Sequence, residues 1–256
     1  MNNRDNHYNE VTPTANIPTL ITPVFLIADT SGSMSGQKIQ EVMLAINSIN
    51  AQLSDLNRNY SDFNCRVSVM SFDIQARWEC LMQDPALVNV ELTLGTLTYM
   101  GAAFDELEKV FYSMRKPENR MKYQYRPPVL ILLCDGLPCD DFTCSLERLK
   151  NDRFFTKGLR IAFAIGDDAD LEILKKFTGT SETVVQINDG DYGIISRILT
   201  LITIGASITS ARSDKIDFIS SEDLEPSKEL ALSAENSKAV IDSALKQVDH
   251  ELNWNT

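Results

Sequence analysis

Histidine is nearly absent: the 256 residues hold two, His7 and His250, each close to a chain end. A Ser-His-Asp or Cys-His arrangement inside the folded part is thereby excluded, because the general base it needs is missing. Cysteine is sparse and shows no pairing pattern. The five, Cys65, Cys80, Cys134, Cys139 and Cys144, include no C-x-x-C pair. An odd, unpaired set points to reduced thiols in a cytoplasmic protein and not to a disulfide framework. Cys139 and Cys144 beside Asp140 and Asp141 make a poor zinc site, since zinc centres seldom lack both histidine and paired cysteines. A basic excess is missing too: 24 Lys and Arg stand against 36 Asp and Glu, a net charge of −12. Nucleic acid and anionic membrane surfaces are disfavoured as partners. No apolar run is expected to reach membrane-spanning length, so no membrane insertion is expected. The opening "MNNRDNHYNEVTPTANIPTL" lacks the charged-then-apolar layout of a signal peptide and reads as a polar leader over residues 1–20.

What is present is a regular alternation. Hydrophobic residues make up 43% of the chain, enough for a sizeable core. Short apolar runs, "VFLIA" (24–28), "CRVSVMSF" (65–72), "VLILLC" (129–134), "LRIAFAI" (159–165) and "TVVQI" (183–187), are separated by longer helical patterns. That layout predicts a doubly wound α/β fold, a mostly parallel sheet with helices on both faces. "ARWECL" (76–81) follows the second run closely and predicts one antiparallel edge strand. Ile39, Val42, Met43, Ile46, Ile49 and Leu53 recur at helical spacing, as do Ala103, Leu107, Val110, Phe111 and Met114. Further helices are expected around Leu146 and Leu149 and around Leu171, Leu174 and Phe177, with a last, very apolar one from 192 to about 206.

The folded domain is expected over residues 21–212, followed by an acidic tail over 213–256. From residue 217 onward nine acids face three lysines, a local net charge of −6. Ile241, Leu245, Val248 and Leu252 still fall at heptad-like spacing. The segment is either a solvated, partly helical tail or a short amphipathic helix docked on this domain or on a partner. A stripe that short rarely makes a stable lone helix, so the solvated tail is the expectation.

Function is written at the end of the first strand. "FLIADTSGSMSG" (25–36) begins apolar and breaks into hydroxyls and glycine. In open parallel sheets ligands bind beyond the carboxyl ends of strands, where strand order reverses. Asp29, Ser31 and Ser33 stand at such an end in the spacing D-x-S-x-S, offering hard oxygens that suit Mg²⁺ or Mn²⁺. The same residues also suit a helix cap, with Ser33 or Ser35 capping the helix that begins near Gly36. Two further stretches favour the metal. "LTYMGAAFDEL" sets Thr98 ahead of a helix, and "LLCDGLPCDD" sets Asp135 just after a central strand, at the same sheet edge.

Rival motifs fail residue by residue. "GSMSGQK" has too short a gap for a phosphate-binding loop and a displaced Lys38, and "GSMSG" centres on Met34 where a nucleophile elbow needs serine. A phosphatase of the haloacid-dehalogenase kind needs a second acid where Ser31 stands. "GDDAD" (166–170) could pass for a second metal site, but Asp168 or Asp170 more simply caps the helix from Leu171. "MRKPENRMKYQYR" (114–126) is expected to be an exposed basic loop, or a docking loop for an acidic partner.

The set Asp29, Ser31, Ser33, Thr98 and Asp135 resembles the metal-ion-dependent adhesion site of von Willebrand factor A domains over about residues 22 to 207. "PVFLIADTSGSMSGQKI", "LTYMGAAFDEL", "CDGLPCDD" and "AIGDDADLEIL" are similar to the cytoplasmic TerY-type group associated with tellurite resistance. The resemblance implies that Ser31 and Ser33 coordinate the metal directly and Thr98 directly or through water. Asp29 and Asp135 would hold the waters and hydroxyls from behind. Asp140 would cap the next helix. Leu137 departs from the pattern by filling a usually polar slot. The implied function is a non-enzymatic protein-interaction module of a bacterial stress system, using Mg²⁺, Mn²⁺ or Ca²⁺ to bind an Asp or Glu of a partner. Implied partners are a Ser/Thr protein kinase and a PP2C-type phosphatase. The alternatives are a metal-dependent phosphatase or nucleotide-handling enzyme, or an adaptor subunit of an AAA-type ATPase. The absence of a core histidine, of a lysine beside the site and of a second close carboxylate counts against the enzyme.

Overall fold

The structure, a computed structural model, describes residues 18–135, 137–217 and 225–253. Residues 1–17 of the expected leader, His7 among them, lie outside the described residues, as do the side chains of His250 and Leu252.

The described chain runs β1 (Thr19–Asp29), α1 (Gln37–Asn59), β2 (Cys65–Phe72), β3 (Ala76–Gln83), α2 (Met100–Arg115), α3 (Pro117–Arg120), β4 (Tyr123–Tyr125), β5 (Val129–Cys134), α4 (Thr143–Lys150), α5 (Arg153–Lys157), β6 (Leu159–Ile165), α6 (Leu171–Thr178), β7 (Val184–Ile187), α7 (Ile195–Ala211) and α8 (Pro226–Asn253). The sheet order is β3-β2-β1-β5-β6-β7, with β4 beside the start of β1. Every pairing is parallel except β2 with β3. The doubly wound α/β expectation therefore holds, antiparallel edge included.

Alternation along β1 shows how the two layers arise. Val24, Leu26 and Ala28 join a core with α1, α7 and α8, while Phe25 and Ile27 join the opposite core with α2, α4, α5 and α6. A strand buried on both faces reads as a near-continuous apolar run, as residues 24–28 of β1 and the whole of β5 do. Because β1 pairs with β2 on one side and β5 on the other, the strand order reverses between β1 and β5. The loops leaving these two strands open a crevice at their carboxyl ends.

Three expectations need correction. The stretch 114–126 is not an open loop: it forms α3 and β4, and Tyr125 is buried against β1. The acidic segment is not a solvated tail either. α8 lays Val240, Ile241, Ala244 and Val248 into the α1/α7 core. Gly205 of α7 permits close approach, since a Cβ there would lie 3.3 Å from Val240 Cγ1. At its start, the buried Arg160 guanidinium donates to the Leu230 carbonyl at 3.0 Å and to three carbonyls around α5. Thr156 Oγ1 donates to Glu229 Oε2 at 2.8 Å. Twenty-eight residues with one apolar face gain from packing what a short lone helix lacks. Lastly, residues Tyr192–Ala211 are long and apolar enough to cross a membrane, 20 residues whose most apolar 18 have a mean hydropathy of 1.6. In the fold they are a core helix, wedged between the sheet and α8.

Candidate metal centre

β1 ends at Asp29, whose side chain is fully buried. Its Oδ1 accepts the Ser31 N–H at 2.8 Å and its Oδ2 accepts the Cys134 thiol at 3.1 Å, across the β1–β5 pairing. Burial is the largest influence on the Asp29 carboxyl and pushes it upward; these hydrogen bonds pull it back and the charge of Asp135 adds to the rise. A short 3₁₀ turn, Gly32–Met34, then reverses the chain, anchored by the buried Met34. Gly36, at φ 79°, redirects it into α1, a conformation glycine adopts without a Cβ penalty.

That turn places the hydroxyls. Ser31 Oγ and Ser33 Oγ lie 3.0 Å apart, and Ser33 Oγ donates to Asp135 Oδ1 at 2.7 Å. Asp135 directly follows β5 and is buried, while Ser33 is exposed. No serine side chain caps α1, whose cap position is Gly36, so the capping alternative is not what the chain uses.

Thr98 belongs to a loop pinned on both sides. Gly95 N–H donates to Thr30 O at 2.6 Å, Tyr99 N–H to Asp73 O at 2.8 Å, and Cys139 N–H to Thr98 O at 2.7 Å. Thr98 itself is buried, held between the end of β2 and the loop after β5. Asp140 does not cap the next helix, as the resemblance implied. Its carboxylate accepts the N–H groups of Met100 and Gly101 at the start of α2, and Asp141 accepts Thr143 N–H at the start of α4. In "GDDAD", Asp170 caps α6 through Glu172 and Ile173, as expected.

Asp29, Ser31, Ser33 and Asp135 thus form one hydrogen-bonded chain, with the Thr98 loop alongside. Whether a cation fits can be judged from the oxygens. In an octahedron with bonds of about 2.1 Å, neighbouring ligands stand about 3.0 Å apart. The 3.0 Å between the two serine oxygens matches one edge of it. Among the described residues no three His, Cys, Asp or Glu side chains converge, so such a site is hydroxyl-rich. Cavities of 440 and 640 Å³ lie elsewhere, the larger between α6 and the start of α8.

One residue was missed. Lys38 Nζ donates to Asp135 Oδ2 at 2.7 Å, so a lysine does stand beside the site. A second carboxylate is close as well: the charge of Asp135 acts on Asp29. Burial pulls the Lys38 ammonium down, but its contacts with Asp135 outweigh this and hold it above its ordinary value. The only sequence trace of it is a lysine nine residues after Asp29, out of place for a phosphate loop.

Comparison with known proteins bears on the fold and the family. The model of the von Willebrand factor type A domain matches residues 24–201. No curated protein matches the chain. Among solved structures, proximal thread matrix protein 1 from the mussel byssus is 15% identical, with a TM-score of 0.52 over 76% of this chain and 47% of its own. The ArnB paralog VWA2 from Sulfolobus acidocaldarius is 20% identical, with a TM-score of 0.51 over 79% of this chain and 47% of its own. This chain thus spans about half the length of those structures, and the likeness establishes a shared fold.

Proposed function

This chain belongs to the von Willebrand factor type A domain family, generally one of metal-dependent protein-interaction modules, and from that premise we propose that it binds a partner's Asp or Glu through a divalent cation held at Ser31 and Ser33. The observation that carries the proposal is the pair of serine oxygens 3.0 Å apart, backed by Asp135. Mg²⁺ is the cation proposed, with Mn²⁺ as its close substitute; the longer bonds of Ca²⁺, at 2.3–2.6 Å, suit that spacing less well.

The chain's own residues perform the following. Ser31 and Ser33 would hold the ion with neutral hydroxyls. Asp135 would orient Ser33, and Asp29, with Oδ1 on the Ser31 N–H, would keep the turn in shape. Thr98 would complete the set from its loop. When bound, the ion supplies a concentrated positive charge that hydroxyls do not neutralise, which attracts an incoming carboxylate. Leu97 and Leu137, exposed beside Thr98 and Asp135, offer apolar contacts around that acid. Both Asp29 oxygens are engaged and buried, which leaves no free nucleophile and weighs against phosphoryl transfer.

The resemblance to the TerY-type group extends the proposal to a bacterial cytoplasmic stress system, with a Ser/Thr kinase and a PP2C-type phosphatase as partners. Calorimetric titration of the full chain with Mg²⁺ and Mn²⁺ tests the core of it. One site is expected in the native protein, with a loss of at least tenfold in affinity for Ser31→Ala. Binding unchanged in Ser31→Ala overturns the proposal. Capture of kinase and phosphatase should likewise fail in EDTA.

A further inference from the structure

Lys38 occupies a slot made by four segments. It projects from the first turn of α1, and its side chain is 17% exposed while that of Asp135 is 0%. Nζ lies 2.7 Å from Asp135 Oδ2 and 5.5 Å from the ring centre of Tyr192, which precedes α7. Gly166, at φ +104° just past β6, leaves the room: a Cβ there would stand 3.2 Å from Nζ and 3.1 Å from Asp189 Oδ1. Asp189 is itself held by the Tyr192 hydroxyl, and its N–H donates to Asp167 Oδ1 at 3.2 Å. A flexible surface lysine would not be seated this way.

Seating it has two consequences. Asp135 divides its oxygens, Oδ1 toward Ser33 and Oδ2 toward Lys38, so each already carries a hydrogen bond before any ion arrives. Charge follows. Lys38 offsets the negative charge of Asp135 beside it, so a dication meets one unit less negative charge at the site than it would without Lys38; Asp189, which also borders the slot, is the same in both cases.

We propose that Lys38 is a built-in counter-cation that weakens divalent-metal binding and reserves the ion's positive charge for the partner's carboxylate. This rests on the metal reading of the site and assigns to Lys38 a positioning role, acting through Asp135. A lysine that merely stabilised the fold would leave metal affinity unchanged or reduce it on removal. A counter-cation predicts the opposite sign, since a cation bound at the site would be repelled by the ammonium that shares Asp135 with it.

The test is titration of the full chain with Mn²⁺ alone, read by calorimetry and by the electron paramagnetic resonance of free Mn²⁺. Lys38→Gln removes the charge and keeps a hydrogen-bond donor, on a side chain one atom shorter. It should bind Mn²⁺ about tenfold more tightly, ~1.4 kcal/mol. Lys38→Met should tighten similarly, and Lys38→Arg should stay near the native value; thermal melts show which variants are folded. Native binding without tightening in the folded neutral variants overturns the role of Lys38 and leaves the metal site standing. Silence in the native chain and in every variant overturns both. Binding that appears only in the neutral variants supports the proposal in its strongest form.

Discussion

Asp140 and Gly101 hold two separate segments of the site together. Asp140 Oδ2 accepts the Gly101 N–H at 2.8 Å while Oδ1 accepts that of Met100 at 2.9 Å. The loop after β5 is thereby clipped to the start of α2, two residues beyond Thr98. A Cβ on residue 101 would lie 2.6 Å from Asp140 Oδ2, so only glycine lets the carboxylate sit that close. Removing an N-cap carboxylate costs about 1–2 kcal/mol, and Asp140→Ala should lose that much in urea denaturation. Gly101→Ala should weaken Mn²⁺ binding without altering charge, because it pushes the clip away from the Thr98 loop. Native Mn²⁺ affinity in both variants would separate the clip from the site.

Saturating Mg²⁺ should raise the melting temperature of the native protein. A ligand at a hundred times its dissociation constant adds about 2.7 kcal/mol to stability. Ser33→Ala, which removes the donor to the buried Asp135 Oδ1, should gain little from Mg²⁺ relative to its own melt in EDTA. A gain as large as the native one would remove Ser33 from the ligand set.

The helix α8 should behave as part of the core. Truncating a buried isoleucine costs about 2–5 kcal/mol, so Ile241→Ala should be strongly destabilising. Leu232, on the same helix but 52% exposed, should tolerate alanine within about 0.5 kcal/mol. Chemical denaturation of the two variants makes the comparison, and equal effects would deny that α8 is docked.

Thiol reactivity should divide by burial. Cys139 and Cys144 are exposed, while Cys65, Cys80 and Cys134 are buried. Burial pushes the Cys65 thiol up to about 12 from 9.0, leaving almost no thiolate at neutral pH. Iodoacetamide should therefore label Cys139 and Cys144 in the native chain and reach Cys65 only after unfolding. Because the folded value is the higher, Cys65 contributes stability fully below pH 9, and that contribution is lost as pH rises toward about 12. Urea midpoints measured above pH 9 should fall accordingly, and less so in Cys65→Ala.

Local chemistry was enough to place the layers and one end of the site. Apolar-rich runs marked β2, β5 and β6 at their observed limits, and β5, buried on both faces, is apolar throughout, whereas β2 carries Arg66, Ser68 and Ser71 and β6 carries Arg160. Asp29, Ser31 and Ser33 were readable because they lie within five residues, and the turn that gathers them is itself local. What depends on distance was not legible. Lys38 meets Asp135 across 97 residues, in a slot whose walls come from three other loops. Asp140 was expected to cap the helix that follows it and caps instead one that begins 40 residues earlier, since an aspartate cannot announce which helix end lies within reach. The apolar stripe of α8 was visible in an acidic stretch, but the surface that receives it, the groove beside Gly205 and the contacts of Arg160 and Thr156, is assembled from distant segments. Sequence alone determined which strands are buried and which hydroxyls stand together; the tertiary structure decided which charges meet, because electrostatic partners are chosen by proximity in space and not along the chain.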